Sequence, residues 1–433
     1  MKMHGTLGTI LIATLLLAGC GGGGNNNNSS SGVRLKAMVA VPNVGTTTNY
    51  SFDIGAVDPV LGRYYYTDRN NKAVQVFDIK TNTYIKTITG GFAGCNSGAA
   101  PPGVPAPTCA GANNDLSGPD GLNIITGTTF IYVGDTNSVK IIDTRTDTVV
   151  NTIPVGTGFR ADEGCYDPDH NIFMINSPGE PIPFATFINT NTQKKIATLL
   201  FTDPGTGPGG PPSGGLEACV YDHATQTFIN NNDGSTANPH GEVDVIPASF
   251  ITPFLNTAAP PTLTLPVPTA ANGFKIFPLG NCDPTGLDLG PGTDMGVMCR
   301  QGTTGALLTF QILDKTTGAV RAVLNGGGGD EIAYDAATNR YYLSSSRYTD
   351  NGLAAVAGTC AAASPCQPNL IVVDAATRQI VGSVQTGNNA HSVAVDAVIH
   401  QAYLPFSSPG APAGCSTCAS YSASGGLAVY STQ

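Results

Sequence analysis

The sequence predicts an all-β chain made of repeated antiparallel sheets, and two observations carry this prediction. Only 12% of the 433 residues are charged, and the chain contains 54 Gly and 31 Pro. Average soluble proteins have about 25% charged residues, so this composition disfavours helical bundles and coiled coils. Short segments of alternating polar and apolar residues, rich in Val, Ile and Thr, recur between Asn/Thr/Gly turns. That pattern is typical of short strands joined by tight turns.

The acidic balance of the chain excludes one class of partner. With 20 Lys and Arg against 30 Asp and Glu, the formal net charge is −10. The basic residues form no cluster, whereas nucleic-acid binding needs a basic surface for the phosphates. The hydrophobic content of 41% also exceeds that of disordered chains. We therefore expect a folded protein without a nucleic-acid partner.

Residues 1–19 have the order of features of an export signal. Lys2 supplies a positive charge, the apolar run 10–17 is too short to span a bilayer, and small residues follow. The sequence LAGC at 17–20 resembles the cleavage box of bacterial lipoproteins. This resemblance implies cleavage before Cys20 and lipidation of that residue. An ordinary signal peptide with an incidental Cys is the alternative.

Residues 20–32 follow as a Gly/Asn/Ser-rich segment with no large apolar side chain, which predicts a flexible tether. The residue after Cys20 is Gly21, not the Asp that in the lipoprotein family favours the inner membrane. The resemblance therefore implies an exported protein, lipid-anchored to the cell envelope and held at the outer membrane. We expect residues 33–433 to form the folded domain.

The cysteine count favours disulfides. Of 11 Cys, ten remain once Cys20 is set aside, and an even number is typical of exported proteins with disulfides. Other connectivities are open, and the spacing of the last pair also fits a redox-active CxxC site. The simplest prediction pairs sequence neighbours: Cys95–Cys109, Cys165–Cys219, Cys282–Cys299, Cys360–Cys366 and Cys415–Cys418.

An internal repeat sets the architecture. Residues 65–90 and 131–156 each contain an alternating strand, a polar turn, a second strand that ends in Asp, a Thr/Asn turn and a third strand. The third strand recurs at 319–326 and 378–387. Repeats of this length are typical of solenoids and propellers, in which each unit buries its faces against its neighbours.

The second repeat resembles the YVTN-type β-propeller repeat family. This resemblance implies a β-propeller, a fold that hosts many unrelated functions. The residues that carry it are Tyr132, Val133, Val139, Ile142, Asp143, Thr144, Thr148, Val149, Val150, Thr152, Ile153, Val155 and Gly156.

Counting these units along the chain predicts seven blades. The last unit has only three strands of its own and ends at 425–431, while residues 33–45 resemble the missing outer strand. We therefore predict that the N-terminal strand closes the ring as the outer strand of the last blade, which would remove an open sheet edge.

A polar residue recurs at the start of the first strand of nearly every blade, where a propeller opens its central channel. Clustered carboxylates repel one another, so they need a cation or raised pKa values to coexist. Oxygen ligands suit calcium and an added His suits a transition metal, so a divalent metal is one hypothesis and a water-filled polar channel is the other. The candidates are Asp53, Asp120, Asp162, Glu217, Asp330 and His391.

Four further residues are secondary candidates. Glu331 follows a ring acid, and blade 5 offers either Asp283 or Thr285 at the equivalent position. His240 lies in a long loop on the same face, and Arg300 could hold an anionic group there. With His391, Glu217 and Asp330, His240 could complete a metal-dependent lyase or lactonase site.

Two functions follow from these patterns. The favoured one is an envelope-anchored, monomeric binding or scaffold lipoprotein whose long loops on one face hold a protein, glycan or small-molecule ligand. It is favoured because the sequence carries no catalytic signature of the hydrolases, zinc proteases or nucleotide-binding enzymes. The alternative is the metal-dependent lyase or lactonase with its site at the acid/His ring.

Overall fold

The computed structural model describes residues 32–42, 44, 50–96, 109, 112–300, 308–347, 368–407 and 424–433. The predicted signal segment, Cys20 and the predicted tether up to residue 31 lie outside the described residues. So do Cys360, Cys366, Cys415 and Cys418, and the predictions made for them stay predictions. None of the helices within the described ranges is long and apolar enough to cross a membrane.

Seven sheets follow one another along the chain as blades. Neighbouring strands of each blade run antiparallel, and strands follow one another along the chain from the inside outwards, except that the outer strand of blade 7 comes from the N-terminal part of the chain. Blade 1 consists of Phe52–Asp58, Arg63–Asp68, Ala73–Asp78 and Thr83–Thr89. Blade 2 consists of Leu122–Ile124, Phe130–Asp135, Ser138–Asp143 and Thr148–Pro154, and it follows the short 3-10 helix Asn114–Leu116. Blade 3 consists of Gly164–Asp167, Ile172–Ser177, Phe184–Asn189 and Lys194–Leu200.

The remaining blades repeat this order. Blade 4 consists of Leu216–Asp222, Thr227–Asn232, Glu242–Pro247 and Lys275–Pro278. Blade 5 consists of Pro284–Leu289, Asp294–Cys299, Thr309–Asp314 and Val320–Asn325. Blade 6 consists of Ile332–Asp335, Arg340–Ser345, Asn369–Asp374 and Gln379–Gln385. Blade 7 consists of Ala394–Asp396, Gln401–Phe406, Gly426–Ser431 and, from the other end of the chain, Arg34–Ala40.

The first strands of the blades form the inner wall of a ring. Each contacts the first strands of both neighbouring blades, and blade 7 contacts blade 1 in the same way. The prediction of a seven-bladed β-propeller is therefore confirmed. Arg34–Ala40 pairs antiparallel with Gly426–Ser431, from Arg34 opposite Ser431 to Ala40 opposite Gly426. That this strand is what closes the ring stays a prediction.

An insertion between the third and fourth strands of blade 4 was not predicted. It contains the short helices Ala248–Ile251 and Thr252–Phe254, and then the strand Thr262–Thr264, which pairs in parallel with the outer strand of blade 3. Leu265, Ile251 and Phe274 of this segment are buried in the cluster between blades 3 and 4. The Pro-rich sequence of this segment does not predict a strand. The strand forms because the outer edge of blade 3 offers a partner.

Aspartates at strand ends shape the turns on the face remote from the channel mouth. Asp58 accepts hydrogen bonds from the amides of Val60 and Leu61, each at 2.9 Å. Asp167 and Asp335 make the same kind of contact two or three residues ahead. Such Asx turns account for the Asp that ends so many repeats in the sequence. These acids serve the turns, and they are distinct from the acids at the strand starts.

Neighbouring blades are held together by a repeated hydrogen bond close to the channel. A side chain on the second strand of one blade donates to the carbonyl of the strand-start residue in the next. The four such hydrogen bonds run from Thr67 to Asp120, from Asn176 to Glu217, from Asn231 to Thr285 and from Ser344 to His391. This pattern identifies Thr285, not Asp283, as the strand-start residue of blade 5.

Close packing also explains a glycine at the channel wall. A side chain on Gly121 would meet the carbonyl oxygen of Asp162 at 1.7 Å, so only Gly fits between blades 2 and 3 there. Further out, aromatic rings fill the spaces between blades. Tyr64 of blade 1 stacks on Tyr403 of blade 7 with ring centroids 4.9 Å apart.

Three disulfides are present among the described residues, and all three are predicted pairs. Cys95–Cys109 lies in the loop before blade 2, and Cys282–Cys299 lies within blade 5. Cys165–Cys219 joins the first strands of blades 3 and 4. The sequence-neighbour pairing is thereby confirmed for these six cysteines.

Candidate functional site

The mouth of the central channel contains a polar cavity of about 560 Å³. Because the first strands all start at this face, side chains from around the ring point into one space. Its charged and His lining residues are Asp53, Arg69, Arg160, Asp162, Glu163, Glu217, Arg300, Asp330, Arg347 and His391. We call this space the mouth cavity.

The structure brings most of the predicted ring together. Asp53, Asp162, Glu217, Asp330 and His391 line the mouth cavity. Asp120 lies behind them with 0% of its surface exposed. Its carboxyl group contacts a cation that the sequence reasoning did not include.

That cation is Arg69, which follows the second strand of blade 1 and is buried. Its Nη2 contacts Asp53, and its Nε donates to Asp120 Oδ1 at 2.7 Å. A third hydrogen bond goes from Nη1 to the carbonyl of Phe52 at 3.2 Å. Arg69 thus links the strand starts of blades 1 and 2.

Arg69 lies between the buried carboxyl groups of Asp53 and Asp120, and the pKa values of these two acids shift in opposite directions. Burial acts to raise the pKa of Asp53, but the charge of Arg69 and the hydrogen bond of His391 outweigh it and lower the pKa. Burial raises the pKa of Asp120 well above its usual value, and Arg69 offsets this only in part. Oδ2 of Asp120 also has no hydrogen-bond partner among the described residues. Asp53 is therefore the member that ionises more readily, and Asp120 the one that holds its proton to higher pH.

Two further arginines bridge other parts of the mouth. Arg160 Nη1 lies 2.5 Å from Asp162 Oδ2, and its Nε lies 3.2 Å from Asp115 Oδ1. Arg300 Nη1 lies 3.2 Å from Glu217 Oε1, while its Nη2 lies 3.7 Å from Asp233 Oδ2. These guanidinium groups neutralise acids that would otherwise repel one another across the cavity.

Burial nevertheless dominates the titration of the acids that these arginines contact. It raises the pKa of Asp162 to about 6, with Arg160 acting in the opposite direction. It raises the pKa of Glu217 to about 8, with Arg300 acting in the opposite direction. Glu217 is therefore mostly protonated at neutral pH, and it can donate a hydrogen bond into the cavity.

His391 is held in one orientation. Its ring stacks on Phe52 with centroids 4.5 Å apart, and its Nδ1 lies 2.7 Å from the carbonyl oxygen of Asn389. A proton on Nδ1 satisfies that carbonyl and directs Nε2 at Asp53 Oδ1 (3.6 Å) and Asp330 Oδ2 (3.8 Å). Burial acts to lower the pKa of His391, but the Asp53 hydrogen bond and the Asp330 charge outweigh it and raise the pKa.

Deeper in the channel lies a second cavity, of about 220 Å³, which we call the inner cavity. Three acids line it, namely Glu163, Asp288 and Glu331, and Glu163 also borders the mouth cavity. No Lys, Arg or His lines the inner cavity in the part of the chain that the structure describes.

All three inner acids are raised in pKa. Burial and the charge of Glu331 raise the pKa of Glu163 well above its usual value. Burial raises the pKa of Glu331 in the same way, with a hydrogen bond to Glu163 offsetting part of the effect. Burial raises the pKa of Asp288 to about 6. Burial thus favours the neutral forms of these acids, and no cationic side chain among the described residues lines the inner cavity.

The structure does not bring His240 to the mouth. Its side chain is 45% exposed, and its Nδ1 lies 4.0 Å from Asp283 Oδ1. The set of His240 with His391, Glu217 and Asp330 is therefore not assembled. Glu331 lines the inner cavity, whereas Arg300 lies at the mouth.

Sequence reasoning missed Arg69 and Arg160. Arg160 stands two residues before the ring acid Asp162, and Arg69 directly follows the Asp that ends a second strand. Second strands end at the same face where first strands start, so both arginines could have been placed at the mouth from the repeat alone. Because the chain has few basic residues, two arginines at these repeat positions would have indicated cations among the ring acids.

Two groups of side chains have the composition and spacing of metal ligands. In the first, Asp53, Asp330 and His391, the potential ligand atoms lie within 4.8 Å of one another. In the second, Asp53, Asp120 and Asp162, they are equally close, but Arg69 and Arg160 contact these same carboxylates. The first group offers mixed oxygen and nitrogen donors, which suits a divalent transition metal.

Comparison with known proteins supports the fold alone. No protein family matches the chain, and no curated protein sequence matches it. Among solved structures, the chain is similar to one titled Kuenenia stuttgartiensis hydrazine synthase. The TM-score is 0.56 at 12% sequence identity, over 85% of this chain and 96% of that chain. At this identity the similarity concerns the fold.

Proposed function

We propose that this chain is an exported, envelope-anchored β-propeller that binds a small anionic ligand in the mouth cavity. The observation that carries the proposal is the lining of that cavity, where four arginines surround about 560 Å³ of space. Concave sites with a few convergent polar groups are the usual form of small-molecule sites. The absence of a catalytic signature in the sequence favours binding over turnover.

The protonation states decide the sign of the ligand charge. Acids outnumber arginines along the lining, but Glu217, with its pKa raised to about 8, is mostly neutral at pH 7, and the pKa of Glu163 is raised as well. Protonation of Glu217 leaves the guanidinium group of Arg300 with one carboxylate fewer to balance it, so this part of the cavity favours an anion. Arginine binds carboxylate and phosphate groups with paired hydrogen bonds, while protonated Glu217 can donate a third.

A thermal-shift screen tests this function. Small carboxylates, sugar acids and phosphate esters are added to the purified chain, and a rise in melting temperature identifies a ligand. Arg300→Gln should weaken that ligand about tenfold or more, because one charge-assisted contact is lost. Arg145→Gln is the matched control, since Arg145 is 68% exposed and contacts Asp143 outside the cavity. Equal weakening by both variants, or no hit in the anion panel, contradicts the proposal.

Export and anchoring have their own support and test. The three disulfides fit an oxidising compartment outside the cytoplasm. Cells fed an alkyne fatty acid should label the wild-type chain, and Cys20→Ser should remove the label. A label that persists in Cys20→Ser contradicts lipidation at this residue.

The group formed by Asp53, Asp330 and His391 favours a second candidate, a metal-dependent lyase or lactonase. The Nε2 of His391 and the two carboxylates face one another, and a metal held there would polarise a carbonyl group. Glu217, with a pKa of about 8, would be a proton donor across the cavity.

Metal analysis and turnover assays separate the two candidates. If the chain is this enzyme, the wild type should bind a transition metal and turn over a lactone or ester. The double variant Asp330→Asn/His391→Gln should lose both the metal and the turnover. Turnover that is unchanged in the double variant excludes this site. Anion binding by a wild type that holds no metal and turns over no lactone or ester leaves the binding protein as the function.

A further inference from the structure

A second cluster of buried acids lies away from the channel, in blade 4. Glu242 and Asp244 occupy alternate positions of the third strand, so their side chains share one face of the sheet. Each is only 1% exposed. Burying two carboxylates side by side is costly unless a cation or protons compensate.

Only neutral donors contact these two acids within the described residues. Asn232, on the neighbouring strand, directs its Nδ2 at Asp244 Oδ2 (2.8 Å) and Glu242 Oε1 (3.4 Å). From the loop that joins the two strands, Ser235 Oγ donates to Glu242 Oε2 at 2.8 Å and Asn238 Nδ2 does so at 2.5 Å. The cluster therefore has two acids, several polar oxygens and no basic side chain.

One oxygen of the cluster is left over. Asp244 Oδ1 is buried and has no hydrogen-bond partner among the described residues. An unsatisfied buried carboxylate oxygen needs a partner, and a cation placed between Asp244 and Glu242 would supply it.

We propose that Glu242 and Asp244, covered by the loop 233–241, form a calcium-binding site separate from the mouth cavity. Calcium takes six to eight oxygen ligands in flexible geometry, and its charge balances two carboxylates. Rotation of the Asn238 amide presents its Oδ1, and Ser235 offers its hydroxyl oxygen. Magnesium demands a stricter octahedron and keeps its waters, so this mostly buried, loop-covered cluster favours calcium.

The site has a structural link to the channel. Asp233, which directly follows Asn232, contacts Arg300 at the mouth, and the backbone carbonyl of His240 accepts the amide of Cys282 at 3.1 Å. Calcium bound under the loop would hold both of its ends, and so would fix Arg300. This inference does not depend on the proposed function.

Calorimetric titration with Ca²⁺ tests the site, on the full chain stripped with a chelator. The wild type should bind one Ca²⁺ per chain and gain thermal stability with it. Asp244→Asn should weaken binding about 100-fold or more. Without calcium this variant should be at least as stable as the stripped wild type, because a buried ionisable group is gone.

Two controls keep the result interpretable. Asp288→Asn alters a half-buried acid of the inner cavity, one blade away, and should bind Ca²⁺ like the wild type. Asn238→Ala changes only the loop and should weaken binding about tenfold, so it tests the site even where Asp244→Asn fails to fold. A wild type that binds no Ca²⁺ at millimolar concentration overturns the proposal. Unchanged binding in both cluster variants, or binding abolished by Asp330→Asn instead, also overturns it.

Discussion

The mouth cavity and the inner cavity hold buried acids in two different ways. At the mouth, Asp53 and Asp162 each contact a guanidinium group, which compensates charge with charge. Deeper in the channel, burial raises the pKa of Glu163 and Glu331, and no basic side chain among the described residues lines the inner cavity. The mouth therefore stays polar and charged, while burial favours the neutral forms of the inner acids. The difference teaches that a ring of acids need not be a metal site.

Removing the strand Arg34–Ala40 should have the largest effect, because it would break both regions at once. Blade 7 would lose its outer strand, and the ring would lose the closure that we predict. We expect loss of a single cooperative unfolding transition in thermal melts. Deletion of the tether residues 21–31 is the control and should leave the melt unchanged. A cooperative melt after loss of the strand would show that the ring closes without it.

Arg69→Met should lower stability through the mouth cavity alone and leave the inner cavity unchanged. It leaves Asp53 and Asp120 buried without their shared cation, and removing one partner of a buried ion pair costs about 3–5 kcal/mol. Denaturant unfolding at pH 7 measures this cost. Arg145→Met, at an exposed pair, should have a far smaller effect. A further change of Asp53→Asn in the Arg69→Met background should recover part of the loss.

Glu331→Gln should increase the free energy of unfolding, whereas Arg69→Met lowers it. The native state raises the pKa of Glu331, so this acid reduces stability as pH rises above the pKa of the unfolded chain. The variant should match the wild type near pH 4 and exceed it at pH 8, by roughly 1.4 kcal/mol for each unit of pKa shift. Denaturant unfolding at both pH values gives the comparison. Destabilisation at pH 8 would show that the inner acids are ionised and compensated by a cation.

Glu217→Gln should give a smaller change that sharpens the contrast. The native pKa of Glu217 is about 8 against a usual 4.5, so its stability penalty grows between those two pH values. The variant removes this dependence, but it also loses the contact with Arg300. We therefore expect a gain at pH 8 below that of Glu331→Gln, measured in the same series. A larger gain than in Glu331→Gln would mean that Arg300 contributes little.

Much of the fold could be predicted from the sequence, because it repeats locally. Strand alternation and the turn aspartates mark each blade, and the strand starts place Asp53, Asp162 and His391 at one opening. The three observed disulfides follow from sequence proximity. These signals lie within one repeat and need no knowledge of tertiary contacts.

The rest of the site depends on contacts between blades, which a single repeat does not encode. Arg69 reaches from blade 1 to Asp120 of blade 2, and Arg300 from blade 5 to Glu217 of blade 4. Whether Glu331 faces the mouth or the inner cavity depends on a shift of one residue along the strand. The insertion strand Thr262–Thr264 likewise takes its structure from the edge of another blade.

The direction of the N-terminal strand determines how the molecule would stand on a membrane. Arg34 pairs with Ser431 and Ala40 with Gly426, so the chain enters at the face remote from the mouth and runs towards it. A lipid on Cys20 would then lie beneath that remote face, with the mouth turned away from the bilayer. The cavity would then open towards the surrounding medium, and its ligand would come from there and not from the lipid surface.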